Sequence, residues 1–188
     1  MESEKTLYTL IVHSENIAGV LNQITSVFTR RQINIESLNV SASSIKDIHR
    51  YTITAFADED NIKKVVDQIE KKVDVLQCQY FKDEEIFMQE VALYKIKTGI
   101  LTDNPAVSEV IRQFGGNITE VNPTYSVVEK TGSTKDILAL NQELGNMGAV
   151  LQYVSSGRVA ITRARIEHVS EYIEKMDAKY GIKTINAK

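Results

Sequence analysis

The stretch Asn16-Ile17-Ala18-Gly19-Val20-Leu21 decides how the first part of the chain folds. It follows a short, apolar, β-prone run from Leu7 to about His13, and it opens a segment, Ala18 to Arg31, in which apolar residues recur at helical spacing. We therefore expect a strand that enters a helix through a tight turn. Asn16 is a candidate N-cap for that helix, and Gly19 leaves the backbone of the turn uncovered by any Cβ.

A turn of this kind presents backbone N–H groups and the positive end of a helix dipole to a small anion such as a carboxylate. The same residues also have a purely structural explanation, in which Asn16 caps the helix and Gly19 packs close to a neighbouring strand. Helix capping is commoner than ligand binding, so the spacing alone favours the structural explanation. A binding role needs support from other parts of the chain.

Length and composition bound the class of protein. The chain has 188 residues, of which 43% are hydrophobic, enough for one medium domain or two small ones. A net charge of −3 and a pI near 5.7 argue against nucleic acid as a partner. The chain has a single cysteine, Cys78, so it cannot form an intramolecular disulfide. No apolar run reaches the length of a membrane span, and residues 1–5 do not resemble a secretory signal. We expect a cytoplasmic protein with no membrane partner.

The first half of the chain has the element order βαββαβ. The predicted strands are Leu7 to about His13, Asn34 to Ser43, His49 to Ala57 and Val73 to Phe81, and the predicted helices are Ala18 to Arg31 and one that starts at Asp58-Glu59-Asp60. This order predicts an antiparallel, ferredoxin-like sheet with both helices on one face.

The second half repeats this pattern more loosely after a charged linker, Lys82-Asp83-Glu84-Glu85. Its predicted strands are Val91 to Ile96, the segment around Gly116 to Val121, Tyr125 to Val128 and Ala149 to Val154. Its first predicted helix starts at Asn104-Pro105 and stops at Gly115-Gly116. The second runs from Thr134 to Leu144, and an added helix runs from about Ile166 to Tyr180. The fold class is thus α+β, with two ferredoxin-like domains in tandem at residues 1–81 and 86–188. The Asn-x-x-Gly turn occurs only in the first.

No catalytic or metal-ligating constellation emerges from the sequence. The histidines His13, His49 and His168 are scattered without ligand spacing, and Cys78 lies in an apolar strand as a buried thiol. The segment Thr131 to Lys135 does not match a phosphate-binding loop, and Ser133 with Asp136 is a helix capping box. We therefore predict no catalytic residues and no metal site.

Two stretches carry a family resemblance: Asn16-x-x-Gly19-Val20-Leu21, and the run from Phe28 through Asn34-Ile35-Glu36-Ser37-Leu38. Together they resemble the N-terminal ACT domain of the small, regulatory subunit of acetolactate synthase, also called acetohydroxyacid synthase (AHAS). The similarity continues to about Arg163. The chain departs from the family pattern at Gln32-Ile33, where Gly-Tyr or Gly-Phe is usual, and at Ser155-Ser156-Gly157, where Arg-[Ser/Thr]-Gly is usual.

This resemblance implies a regulatory subunit with no active site and no cofactor of its own. Its partner would be the large catalytic subunit, which carries thiamine diphosphate, magnesium and FAD. The small subunit would raise the activity of that partner and confer feedback inhibition by valine or another branched-chain amino acid.

The resemblance also implies where the effector binds. ACT domains of this type pair side by side into one continuous sheet, so we expect a homodimer with the effector at the seam and the strand Asn34 to Ser43 at the pairing edge. The effector-binding residues would be Asn16, Ile17, Ala18, Gly19, Val20, Leu21, Asn34 and Ile35. Backbone N–H groups would hold the carboxylate of the amino acid, the asparagines its ammonium group, and apolar residues such as Ile35 and Val20 its side chain.

Two alternatives belong to other classes. An RNA-recognition module shares the βαββαβ order, but its third strand should carry Lys/Arg-Gly-Phe/Tyr and stacking aromatics. The stretch His49 to Phe56 lacks the glycine, and the chain is acidic. A stand-alone tandem ACT sensor, regulating another enzyme or a transcription factor, would share the turn but would not need the Asn34 to Leu38 pattern or this second half.

Overall fold

A computed structural model describes residues 5–163. These residues divide into two compact units, one formed by residues 5–87 together with 160–163 and the other by residues 88–159. The helix predicted from about Ile166 to Tyr180 lies outside the described residues.

The first unit has the predicted βαββαβ order. Its elements are β1 (Thr6–Glu15), α1 (Val20–Arg30), β2 (Ile35–Ala42), β3 (Ile48–Ala57), α2 (Glu59–Glu70) and β4 (Val75–Phe81). The strands form one sheet in the order β2-β3-β1-β4, in which every neighbouring pair is antiparallel. The ferredoxin-like prediction is confirmed for this half, and β2 is an edge strand as expected.

The core of the first unit lies between one face of the sheet and the two helices. The buried helical residues are Val20, Ile24, Val27 and Phe28 from α1 and Ile62, Val65, Val66 and Ile69 from α2. Alternate residues of β3, such as Tyr51 and Ile53, point into this core, while Thr52 and Thr54 lie on the other face and are also buried. The alternation in β3 therefore reflects a sheet packed on both faces over much of its length.

The second unit repeats the architecture with an extra short helix. Its elements are β5 (Ile86–Lys97), which begins at the end of the first unit, α3 (Thr98–Asp103), α4 (Pro105–Gln113), β6 (Asn117–Val121), β7 (Tyr125–Gly132), α5 (Thr134–Asn146) and β8 (Val150–Ser155). The last strand, β9 (Val159–Thr162), starts at the end of the second unit, and its residues 160–162 belong to the first unit. The strand order is β6-β7-β5-β8, and β9 pairs with β5. Two ferredoxin-like sheets in tandem are thus confirmed.

Helix caps account for most of the correctly predicted boundaries. The Asn104 side chain accepts a hydrogen bond from the Ala106 N–H at 3.1 Å, with Pro105 in the first helical position. Ser133 accepts from the Asp136 N–H at 3.2 Å and donates to its carboxylate at 2.7 Å, which lowers the pKa of Asp136. Asp58 accepts from the Asn61 N–H at 2.8 Å, which lowers the pKa of Asp58. Each cap satisfies a helical N–H that would otherwise lack a partner.

Several element boundaries differ from prediction, among them the start of β5 at Ile86 rather than Val91 and the end of β7 at Gly132 rather than Val128. Val73 is 95% exposed and lies in the turn before β4, so that strand begins at Val75. The charged segment Lys82 to Glu85, predicted as a linker, contains a short 3₁₀ turn at Asp83–Glu85. The Glu85 carboxylate accepts a hydrogen bond from the Lys82 N–H at 2.7 Å and closes this turn.

The chain departs from the family pattern at Gln32, directly after α1, where the backbone is left-handed. Gln32 follows the helix with φ of 54°, in the left-handed region. The Ile33 N–H donates to the Phe28 carbonyl at 3.1 Å and the Gln32 N–H donates to the Thr29 carbonyl at 3.0 Å, the two bonds of a Schellman motif. Glycine is the favoured residue at this position because it has no Cβ.

We predict that Gln32→Gly stabilises the chain. Removing a non-glycine residue from the left-handed region gains about 1–2 kcal/mol, and the added flexibility of the unfolded chain offsets part of this, so the net gain is about 1 kcal/mol. Urea unfolding followed by circular dichroism should show a higher midpoint. The control Thr25→Gly, in the middle of α1, should lower the midpoint. An unchanged or lower midpoint for Gln32→Gly would contradict this account.

Candidate functional site

The turn between β1 and α1 is exposed from Asn16 to Gly19. The prediction that Asn16 caps the helix is wrong. Gly19 occupies the cap position with φ of 95°, no side chain caps the helix, and α1 begins at Val20 rather than Ala18. The left-handed residue turns the chain immediately before the helix, so Asn16 lies outside the first turn.

This turn leaves backbone donors without acceptors. The Val20 N–H lies 3.4 Å from the Ile17 carbonyl, and regular helical bonding starts with the Gln23 N–H, which donates to the Gly19 carbonyl at 3.1 Å. Among residues 5–163, the N–H groups of Ala18, Gly19 and Leu21 donate no hydrogen bond. Such donors at a helix N-terminus form a binding position for a carboxylate.

Gly19 is required by its backbone conformation and not by crowding. A Cβ built on Gly19 would have no atom within 4 Å. The expectation that Gly19 packs close to a neighbouring strand therefore fails within the chain. Gly19 is therefore explained by its positive φ, and the space around its Cβ position is open.

Hydrogen bonds from two distant loops hold the turn in place. The Asn16 N–H donates to the Asp47 carbonyl in the β2–β3 hairpin at 2.9 Å. The Glu15 N–H donates to the Asp74 carbonyl before β4 at 2.9 Å, and the Gln23 side chain donates to the Asp74 carboxylate at 3.2 Å. Asp47 and Asp74 were missed by sequence reasoning, because only the fold brings these loops to the turn.

The apolar residues of the turn divide into two groups. Val20 is fully buried and anchors α1 to the core. Ile17 is 49% exposed and Leu21 is 40% exposed, so both offer apolar surface outside the core. The Asn16 side chain is exposed, and no described residue exchanges a hydrogen bond with it.

Asn34 and Ile35 lie at the start of β2, just after α1. Asn34 is exposed and Ile35 is half-buried against the core. Asn34 lines a cavity of about 280 Å³, whose other lining residues are Lys5, Arg31, Gln32, Ile33, Glu36, Phe56, Ala57, Asp58 and Asn61. Phe56 on β3 is 47% exposed and gives this cavity an apolar side. The sequence did not assign Phe56 to the site, and its only indication was an apolar residue among the polar positions of the strand.

One chain does not bring the two groups of site residues together. Across the sheet, Ser14 aligns with His49 and Ala42, whereas Ile35 aligns with Ala55 and Tyr8. Tyr8 and Ser14 are separated by six residues of extended strand, roughly 20 Å. A single amino acid cannot span that distance.

Within residues 5–163, no cluster of histidine, cysteine and acidic side chains has the arrangement to hold a metal ion. The structure likewise has no helix in this range that is long and apolar enough to cross a membrane. Cys78 is buried, as expected, and burial raises the pKa of its thiol.

The chain matches two protein families. Residues 10–77 match the AHAS small subunit-like ACT domain, and residues 89–164 match the small subunit of acetolactate synthase. The acetolactate synthase small subunit of Mycobacterium bovis is 32% identical over 161 residues, covering 86% of this chain and 94% of that protein. The probable acetolactate synthase small subunit of Methanothermobacter thermautotrophicus is 27% identical, covering 87% and 96%.

The fold also has a close match among solved structures. The crystal structure of the acetolactate synthase small subunit from Thermotoga maritima superposes with a TM-score of 0.75. The superposition covers 85% of this chain and 99% of that chain, at 24% identity. The tandem arrangement of two ferredoxin-like domains is therefore shared.

We predict that Gly19→Asp abolishes binding of an amino-acid carboxylate at the turn. A carboxylate at residue 19 would lie beside the unpaired N–H groups and repel a second one, weakening binding by at least about a hundredfold. Gly19→Asn is the matched control, since it brings the same backbone strain without the charge. Calorimetric titration with valine, the effector that the resemblance implies, should separate the two variants. Equal affinities for both would show that the turn does not hold the carboxylate.

Proposed function

This chain belongs to the family of acetolactate synthase small subunits, and we propose that it confers feedback inhibition by binding valine or another branched-chain amino acid. The chain is the regulatory subunit and has no active site of its own. Its partner is the large catalytic subunit, to which we assign the thiamine diphosphate, magnesium and FAD of the holoenzyme. We place the complex in the cytoplasm.

The observation that carries this proposal is the set of unpaired N–H groups at the exposed turn before α1. A free amino acid has a carboxylate that needs several donors, and the turn supplies them at the positive end of a helix. The donors belong to the backbone, so they stay fixed by the bonds from Asp47 and Asp74 rather than by side-chain rotamers.

We propose that the site is completed by a second copy of the chain through the β2 edge. If β2 pairs with its copy antiparallel about Leu38 and Asn39, Ile35 of one chain lies opposite Ala42 of the other. Ala42 lies at the same end of the sheet as the partner's turn, because Ala42 and Ser14 share a row. Pairing therefore carries Asn34 of one chain to the end of the sheet that bears the partner's Asn16. The proposal follows from the strand order and accounts for the separation of the two groups within one chain.

The remaining contacts follow from the chemistry of the effector. The amide oxygens of Asn16 and Asn34 accept hydrogen bonds from its ammonium group. Ile17, Leu21 and Ile35 contact its branched side chain, while Val20, being buried, holds the turn to the core. Ala18 and Gly19 supply backbone donors.

The two halves of the chain then have different tasks. We propose residues 1–81 as the effector-binding ACT domain and residues 86–188 as the C-terminal regulatory domain. Because only the first half has the turn, effector affinity resides there. Inhibition requires that the effector bind one state of the holoenzyme more tightly than another. A stand-alone sensor would not need a second half matching this family at residues 89–164.

We predict that Asn34→Ala weakens binding of the effector without abolishing activation of the catalytic subunit. Loss of a hydrogen bond to a charged ammonium should cost about 1.5–3 kcal/mol, or roughly ten- to a hundredfold in affinity. Reconstitution with the catalytic subunit, assayed for acetolactate formation over a valine titration, measures both properties. The expected result is normal stimulation with a shifted inhibition curve.

The control for this experiment is Asn117→Ala, which changes the same residue type at the start of β6 in the second unit. It should leave the inhibition curve unchanged. A native chain that neither stimulates the enzyme nor responds to any branched-chain amino acid would overturn the proposed function. An unshifted curve for Asn34→Ala would place the effector elsewhere.

A further inference from the structure

A cluster of four cationic side chains lies at the C-terminal ends of α1 and α2. Arg30, Arg31, Lys71 and Lys72 line one concavity together with Gln68, and no acidic residue lines it. Arg31 donates to the Gln68 side chain at 3.2 Å. We call these four residues the cationic surface.

The cationic side chains have no acidic partners in the described part of the chain. No carboxylate oxygen of residues 5–163 lies within 4.0 Å of their nitrogens, although the chain as a whole carries a net charge of −3. The C-terminal end of a helix favours a cation, which accounts for one residue on each helix. It does not account for pairs of cations that share one concavity, because like charges held together repel each other.

We propose that the cationic surface is where the catalytic subunit docks, through an acidic patch on that subunit. Opposing carboxylates would relieve the repulsion among the cations, and long-range attraction would speed association. The acidic composition of the chain argues against a phosphate backbone as the occupant. The inference rests on the proposed function, which supplies the partner.

The position of this surface relative to the turn has a mechanistic consequence. The two are connected by α1, which begins at Val20 just after the turn and ends at Arg30 with Arg31 as its C-cap, two of the four cationic residues. This helix of 11 residues spans about 16 Å. A helix is a rigid element, so an effector that displaces its N-terminal end also displaces the docking surface at its other end. Occupancy of the turn is thereby coupled to contact with the catalytic subunit.

The test compares the full-length native chain with the double variant Arg30→Gln/Lys71→Gln. Association with the purified catalytic subunit is measured by biolayer interferometry at low and high ionic strength, and valine affinity is measured by calorimetry. We expect roughly tenfold weaker association at low ionic strength, a shallower salt dependence, and unchanged valine affinity. The difference between native and variant chains should shrink at high ionic strength.

Two controls make the result specific. Lys64→Gln/Lys135→Gln removes the same charge from exposed positions outside the cationic surface and should leave association nearly native. The charge-keeping variant Arg30→Lys/Lys71→Arg should restore association. Native-like association of the Arg30→Gln/Lys71→Gln variant overturns the inference, as does an equal loss in either control. A native chain that fails to bind the catalytic subunit at all overturns the proposed function and this inference with it.

Discussion

The left-handed backbone at Gly19 is the constraint on which the candidate site depends. It makes the chain leave β1 and enter α1 within four residues, so that Val20 packs into the core while Asn16 to Gly19 stay exposed. The same geometry leaves the N–H groups of Ala18, Gly19 and Leu21 without internal acceptors. A capped helix would have satisfied some of these donors. Here they remain without a partner, and the space around the Gly19 Cβ position is open.

The antiparallel sheet sets the second constraint, because it puts the two groups of site residues at opposite ends of the strands. Glu15 and Ala42 end their strands on one side, whereas Ile35 starts β2 on the other. An effector that needs both groups must lie between two chains. The proposed dimer and the proposed effector site would both use the β2 edge, and α1 would link them to the surface proposed for the catalytic subunit.

Sequence reasoning predicted the elements well where periodicity and capping agreed. Ser133 and Asn104 cap the helices that their spacing indicated, and the order βαββαβ is correct in the first half. It failed at Asn16, because a capping residue and a residue three positions before a left-handed glycine look alike in sequence. It also placed Val73 in a strand, where its β propensity was overridden by the turn before Val75.

The parts of the site that sequence could not supply depend on tertiary contacts. Asp47 and Asp74 hold the turn through backbone carbonyls, which carry no sequence signal. The left-handed conformation of Gln32 accompanies the Schellman bonds after α1, and a glutamine at this position gives no sequence signal for it. The separation of Asn16 from Asn34 could be estimated only from the register of β1, β3 and β2 in the folded sheet.

The central claim, that each effector site combines the turn of one chain with Asn34 of another, is tested most directly by a mixed dimer. A chain carrying Gly19→Asp and a chain carrying Asn34→Ala, each with a different affinity tag, are co-expressed, and the dimer is isolated by sequential purification on both tags. Sites shared between chains leave one seam doubly altered and the other fully native. Calorimetry should therefore find one valine site of native affinity per mixed dimer. Sites contained within single chains would both be damaged, and the absence of any native-affinity site in the mixed dimer would contradict the account.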